Sequence, residues 1–151
     1  MSTLIAGRNG FGSIFSYSSV GSSGTFTACA GVINITPPSY SRGTVDVTSH
    51  GTTDYYEQAI SGGPIRSGNV GISAVFLSTA TQQVTTIPTD FNAGTRSGWK
   101  IELAGASSAN TVWYGDGYVT SYQMTVPGEG LVGFDMQMKI TGRPTISTST
   151  T

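Results

Sequence analysis

The sequence predicts a mainly β fold with one short flanking helix and one long inter-strand loop. Two long runs of apolar–polar alternation around residues 127–130, shorter alternating runs elsewhere and one segment with helical spacing carry this expectation. In the second long run, Phe134, Met136, Met138 and Ile140 alternate with Asp135, Gln137 and Lys139, the period of a strand with one buried and one solvated face. In the first, Tyr118, Thr120, Tyr122, Met124 and Val126 share one face, and Val119, Ser121, Gln123 and Thr125 share the other. With Pro127, Gly128, Glu129 and Gly130 as the turn, residues 116–144 read as one hairpin. Its arms exceed the usual strand length of roughly 5–6 residues. It offers more polar sheet surface than a small core needs, so something is expected to meet that face.

The chain order fills in the remaining elements. Residues 1–28 are rich in Gly and Ser around a short apolar group, Ile14, Phe15 and Tyr17, and read as an N-terminal arm that either frays or docks on a neighbour, with docking the favoured reading. Val32, Ile33, Asn34 and Ile35 form a strand stopped by Pro37 and Pro38, which cannot donate to a ladder. Residues 43–48 alternate through Val45 and Val47, and residues 69–77 through Ile72, Ala74 and Phe76. Between them, residues 49–68 lack a sustained period and read as a long loop. Tyr55 and Tyr56 suit it to partner binding, because Tyr gives large contact area at low entropic cost.

Over residues 78–92, Val84, Ile87 and Phe91 recur at helical spacing, Thr79 is a candidate cap, and Gly94 stands where a C-terminal glycine belongs. Pro88 and the β-branched Thr85, Thr86 and Ile87 limit this to a short or broken helix. Trp99, Ile101 and Leu103 then alternate with Lys100 and Glu102, and Gly115 and Gly117 mark a bend or bulge before the hairpin. Residues 146–151, all Ser, Thr or Ile, are expected to be a disordered tail.

Composition narrows the function. The 151 residues suit one domain, here 1–145, large enough to bury a core without staples. Seven Lys plus Arg against eight Asp plus Glu, with no basic stripe, argue against gripping nucleic acid by charge. The formal net charge of −1 leaves little repulsion between copies and favours self-association. Cys29 stands alone, which excludes an internal disulfide and fits a reducing compartment. No apolar run reaches the ~18 residues of a membrane span, and no signal peptide or membrane partner is expected.

Catalytic patterns are weak. Ser49, His50 and Asp54 draw a triad on paper but share one loop without a rigid frame. The carboxylates have no paired spacing, and one His with one Cys supplies no metal-ligand set, so no catalytic residue, metal or cofactor is expected. Neither a phosphate-binding glycine loop nor a dinucleotide fingerprint is present. A carbohydrate-binding β-sandwich is the alternative reading, with Trp113, Tyr114, Tyr118 or Tyr122 as a sugar platform.

An ordered set of residues resembles a known family. Residues 33–37 precede the first long strand; Asp46, Val47, Thr48, Ser49, His50 and Gly51 open the long loop; Phe91, Asn92, Gly94 and Thr95 follow the helix. Trp99, Lys100 and Ile101 come next, and Val119 to Ser121 with Lys139, Ile140, Thr141, Gly142, Arg143 and Pro144 form the ending. Over roughly residues 10–145 the chain is similar to the major tail tube proteins of long-tailed, non-contractile bacteriophages. That resemblance implies a β-sandwich or barrel-like subunit, hexameric rings stacked into a hollow conduit for DNA, and no enzymatic activity. It further implies a place in the virion tail after assembly in the host cytoplasm, beside tape measure, tail terminator and distal tail proteins.

Carried onto this chain, the resemblance makes residues 43–48, 69–76, 119–126 and 131–140 an inner sheet. Asp46, Ser73, Ser121, Gln123, Thr125, Asp135, Gln137 and Lys139 would face the lumen. Such a lining displaces few counterions and would let DNA slide without specific binding. The loop, with His50, Asp54, Tyr55, Tyr56, Glu57 and Arg66, would contact the adjacent ring. Pro88 departs from a full-length family helix, and the extra immunoglobulin-like domain of some members is not expected within these 151 residues.

Overall fold

The computed structural model describes residues 12–48, 56–103 and 109–150. Nine strands and one helix follow in order: β1 (Ile14–Ser18), β2 (Thr27–Ala28), β3 (Val32–Thr36), β4 (Ser41–Asp46), β5 (Ala59–Arg66) and β6 (Asn69–Val75). A π-helical turn (Gln82–Thr86) leads into α1 (Ile87–Ala93), followed by β7 (Ser97–Leu103), β8 (Ala109–Thr125) and β9 (Gly133–Thr150). Seven strands form an antiparallel sheet in the order β2-β1-β7-β8-β9-β6-β3, and β4 with β5 forms a separate two-stranded sheet.

The large sheet closes on itself through one short segment. Residues 27–29 pair with β1, where the Cys29 N–H donates to the Phe15 carbonyl at 2.8 Å. Residues 31–36 pair with β6, beginning where the Val75 N–H donates to the Gly31 carbonyl at 2.8 Å. Both ends of the strand order therefore lie on residues 27–36, which rolls the sheet into a barrel-like sandwich. Inside it, Phe15 and Tyr17 of β1 register with Ile101 and Trp99 of β7, and all four are buried. The opposite wall supplies Val70 and Ile72 from β6 with Phe134, Met136, Met138 and Ile140 from β9. At about 1.5–3 kcal/mol for each large apolar side chain removed from water, this cluster drives the roll-up.

Several expectations are corrected. The segment 1–28 is not simply an arm: within its described part, β1 is an internal strand, because Phe15 and Tyr17 gain more by entering the chain's own core. The segment 49–68 is not one loop, since residues 59–66 form β5 on β4. The middle of that strand hides it from the pattern: Gly62, Gly63 and Pro64 suppress the alternation that would reveal it, and a register shift between Arg42 and Thr44 absorbs the irregularity. Residues 43–46 lie in this separate hairpin and not in the large sheet. The tail is also ordered further than expected, with β9 running to Thr150 along β8.

The helix is broken as expected, and Pro88 explains how. Lacking an N–H, Pro88 cannot close the bond to the carbonyl four residues back, and the preceding Ile87 N–H reaches to Gln82 in a π-type bond. Pro88 then sits in the first turn of α1, where its missing donor costs nothing. Gly94 ends the helix in the left-handed conformation at φ 67°, as the sequence predicts. The cap does not fall on Thr79, and the wider π turn leaves Val84 exposed, while Ile87 enters the core.

Candidate functional site

Among the described residues, the outer face of β3, β6, β9 and the second half of β8 is a polar surface that crosses four strands. Register fixes its rows. Asn34, Ser73, Asp135 and Gln123 stand side by side across the strands, as do Thr36, Gly71, Gln137 and Ser121. A third row holds Asn69, Lys139 and Tyr118, and Thr125 closes the face opposite Gly133. The structure thus brings together every residue expected on the inner face except Asp46. Between the first two rows and the bend at Pro37 and Gly68 lies an open hollow of about 760 Å3 with a mixed polar and apolar lining. Asp135 and Lys139 are the charged residues in these rows, one negative and one positive; their partners across the strands are neutral.

Asn34, Thr36, Asn69 and Tyr118 were missing from the sequence-based set. Asn69 joins this face because it alternates in phase with Ser73 on β6; Asn34, Thr36 and Tyr118 join it for two other reasons. Ile33 sits at a bulge between Val32 and Asn34 and is exposed, so the run Val32 to Ile35 does not alternate even though the strand does. A second register shift between Val119 and Ser121 changes the inward set on β8. Val119 is therefore buried opposite Met138, while Tyr122 and Met124 register with the core residues Met136 and Phe134. The signal for the first shift was an Asn between two isoleucines.

The second candidate surface is the β4–β5 hairpin. Thr36–Gly71 and Ser41–Arg66 are pairs in one register, so β4 continues β3 and β5 continues β6 across a break. Pro37, Pro38 and Gly68 (φ 69°) make that break, with no room for a Cβ at Gly68 beyond the 3.2 Å gap to the Ser39 carbonyl oxygen. The hairpin is exposed on both faces, including Val45, Ile60 and Ile65. An isolated two-stranded ribbon without a core is marginal in water.

Of the residues expected to contact an adjacent ring, Tyr56 is 75% exposed, Glu57 is exposed and Arg66 lies in β5. His50, Asp54 and Tyr55 lie outside the described residues, as does the whole Ser49, His50 and Asp54 triad. Asp46 is on the arm, where its carboxylate accepts the Thr48 N–H at 2.8 Å. The Thr48 side-chain and backbone contacts hold the Asp46 carboxyl below its ordinary range. Among the described residues no cluster of three His, Cys, Asp or Glu side chains could hold a metal.

The aromatic platform does not assemble. Trp113 stacks on Tyr40 and meets Trp99 edge-on. Tyr122 packs against Phe91 and Phe134, whereas Tyr118 registers with Lys139 on the polar face and Tyr114 with Lys100 on another strand pair. These residues consolidate separate parts of the fold.

Buried polar groups hold the sheet beneath these surfaces. The Tyr17 hydroxyl donates to Asp90 at 2.6 Å and lies 2.8 Å from the Ser97 hydroxyl, joining β1, α1 and β7. Gln83 accepts the Leu77 N–H at 2.8 Å and donates to the Val75 and Ala30 carbonyls, fixing the π turn to the closure of the barrel. Asp116 accepts the Ser22 N–H at 2.6 Å and the Arg96 guanidinium at 2.9 Å.

No protein-family model matches the chain, and no curated protein matches its sequence. Solved structures do match. A chain in the tail of an empty gene transfer agent (GTA) particle with C6 symmetry superimposes with a TM-score of 0.71 at 19% identity, covering 93% of this chain and 99% of that one. A chain of the anti-feeding prophage (AFP) baseplate gives 0.67 at 9% identity over 99% and 98%. The SPP1 tail tube gives 0.61 at 11% identity, over 92% of this chain and 77% of that one. The chain therefore has the tail tube fold.

Proposed function

We propose that this protein is a structural subunit of a phage tail tube, in which six copies form a ring and rings stack into a conduit for DNA. The observation that carries the proposal is the polar four-strand face ending at two strand edges. Among the described residues β3 pairs only with β6, and residues 118–125 of β8 pair only with β9. Joining these edges between copies would continue the sheet around a ring and satisfy their backbone groups. The C6 symmetry of the similar GTA tail supports the copy number.

The dimensions agree. Twenty-four strands at about 4.8 Å spacing enclose a circle of roughly 37 Å across the backbone, and strand tilt widens it. Asp135, Gln137, Gln123, Ser73, Ser121, Thr125 and Lys139 would line the lumen and present little net charge to a phosphate backbone. Asp46 and the arm carrying Tyr56, Glu57 and Arg66 would meet the adjacent ring. The subunit would act in the virion tail, assembled in the host cytoplasm with tape measure, terminator and distal tail proteins as its partners, and without a catalytic role. Electron microscopy of the concentrated pure protein tests this reading: hollow tubes with six-fold rings are expected, and a protein that stays monomeric at all concentrations would overturn it.

A further inference from the structure

The described surface carries an apolar tip just before β9 and an apolar hollow beside residues 142–146 of the same strand. The hollow, about 720 Å3, lies at the root of the arm and is lined by Tyr40, Ile65, Pro144 and Ile146 with Arg143 at its side. Ile65 is 61% exposed and Ile146 59%, a poor arrangement for two isoleucines unless something covers them. The tip is the turn between β8 and β9. Val126 and Leu131 flank it at 76% and 74% exposure, with exposed Glu129 between them.

The two features match in chemistry. Arg143 and Glu129 are opposite charges with no ion-pair partner in the chain among the described residues. Arg66 on β5 adds a second positive charge beside Ile65. They cannot meet within one subunit, because β9 carries them apart: from residue 131 to 143 a strand advances roughly 40 Å at about 3.3 Å per residue. A contact between them must join two copies.

We propose that the 126–131 tip of one subunit inserts into the arm-root hollow of a second copy, with Val126 and Leu131 on Ile65 and Ile146 and Glu129 against Arg143. The contact joins two different surfaces, so it is heterologous: copies related by a closing rotation would form a ring, and copies stacked ring on ring, as in the tube reading, extend it along the axis. It places successive copies at most roughly 40 Å apart, the tip-to-hollow length along β9. This inference deepens the tube reading and rests on it for the direction of stacking; it adds a contact on the β9 side of the arm, distinct from the 49–58 stretch.

Cross-linking tests it directly. Chains carrying Glu129→Cys are mixed with chains carrying Arg143→Cys and oxidised; a disulfide-linked dimer between the two variants is expected, and neither variant alone should form it. Burial pushes the Cys29 thiol up to about 12, which keeps it from competing. In parallel, Glu129→Arg or Arg143→Glu alone should lower the sedimenting fraction at least tenfold, and the two reversals combined should restore it to within about twofold. Circular dichroism confirms that each exposed-site variant is folded. Tubes that form in the wild type while the mixed cross-link is absent overturn this contact and leave the tube reading standing. A wild type without tubes overturns the tube reading, and the cross-link then still decides whether copies meet tip to hollow. Single reversals that lose assembly without rescue by the pair overturn the Glu129–Arg143 assignment.

Discussion

The Trp113 indole N–H donates to the Tyr40 hydroxyl at 2.8 Å while their rings stack with centroids 5.7 Å apart. Tyr40 immediately precedes β4, so this pair ties the root of an otherwise unsupported hairpin to the wall of the barrel. Trp113→Phe keeps an aromatic ring and removes the donor, at a cost of about 1 kcal/mol. Amides of β4 and β5 should exchange faster in hydrogen–deuterium exchange while those of β6 and β9 stay protected. Uniform protection in the variant would mean that the arm is held by something else.

Alkaline stability should report the buried phenol and thiol. Burial first, and then the hydrogen bond to Asp90, raise the Tyr17 phenol well above its ordinary value; burial raises Cys29 to about 12. Both groups keep their protons in the folded state at a pH where the unfolded chain has lost them. Their contribution is intact below about pH 8.5–10 and declines as pH rises, by at most about 1.4 kcal/mol per pH unit for each. Urea titrations from about pH 8 to 11 should show this decline, and Cys29→Ala should flatten its early part.

Removing the Tyr17 hydroxyl has a separate cost at neutral pH. Tyr17→Phe leaves the buried Asp90 carboxylate without its 2.6 Å donor, and should cost about 1–3 kcal/mol in a denaturant midpoint at unchanged m-value. Ser97→Ala should cost less, because the Tyr17–Asp90 bond survives. Equal losses in the two would contradict this division.

Asp116 governs the acid side. Partial burial opposes its ionisation, but the Ser22 N–H and Arg96 outweigh that and hold its carboxyl below the ordinary range. A depressed folded value gives stability that is present above about pH 4 and is lost as pH falls through it. Asp116→Asn should shrink the acid-induced drop in melting temperature. Arg96→Ala should do less, because the Arg96 side chain is 56% exposed and solvent screens the pair.

Gly117 tests the closeness of β8 and β9. A Cβ there would stand 2.7 Å from the Lys139 carbonyl oxygen, a backbone atom that cannot swing away. Gly117→Ala should cost about 1–3 kcal/mol by forcing the ribbon apart, whereas Gly128→Ala at the open turn should be neutral in the same melt.

Much of the fold was legible in local pattern. The alternation of Phe134, Met136, Met138 and Ile140 alone specified the inward face of β9 and with it Asp135, Gln137 and Lys139 on the other side, because a strand has only two faces. Gly94 and Pro88 likewise determined the end and the break of the helix through backbone geometry that needs no distant partner. What tertiary structure decided was everything that depends on a partner strand. Whether Phe15 and Tyr17 dock outside or inside the subunit turned on β7 lying beside them; whether residues 59–66 pair turned on the register continued from β6 into β5. The bulges at Ile33 and Thr120 rotate side chains from one face to the other only because a neighbouring ladder holds its own register, and that information resides in the pairing, not in either strand.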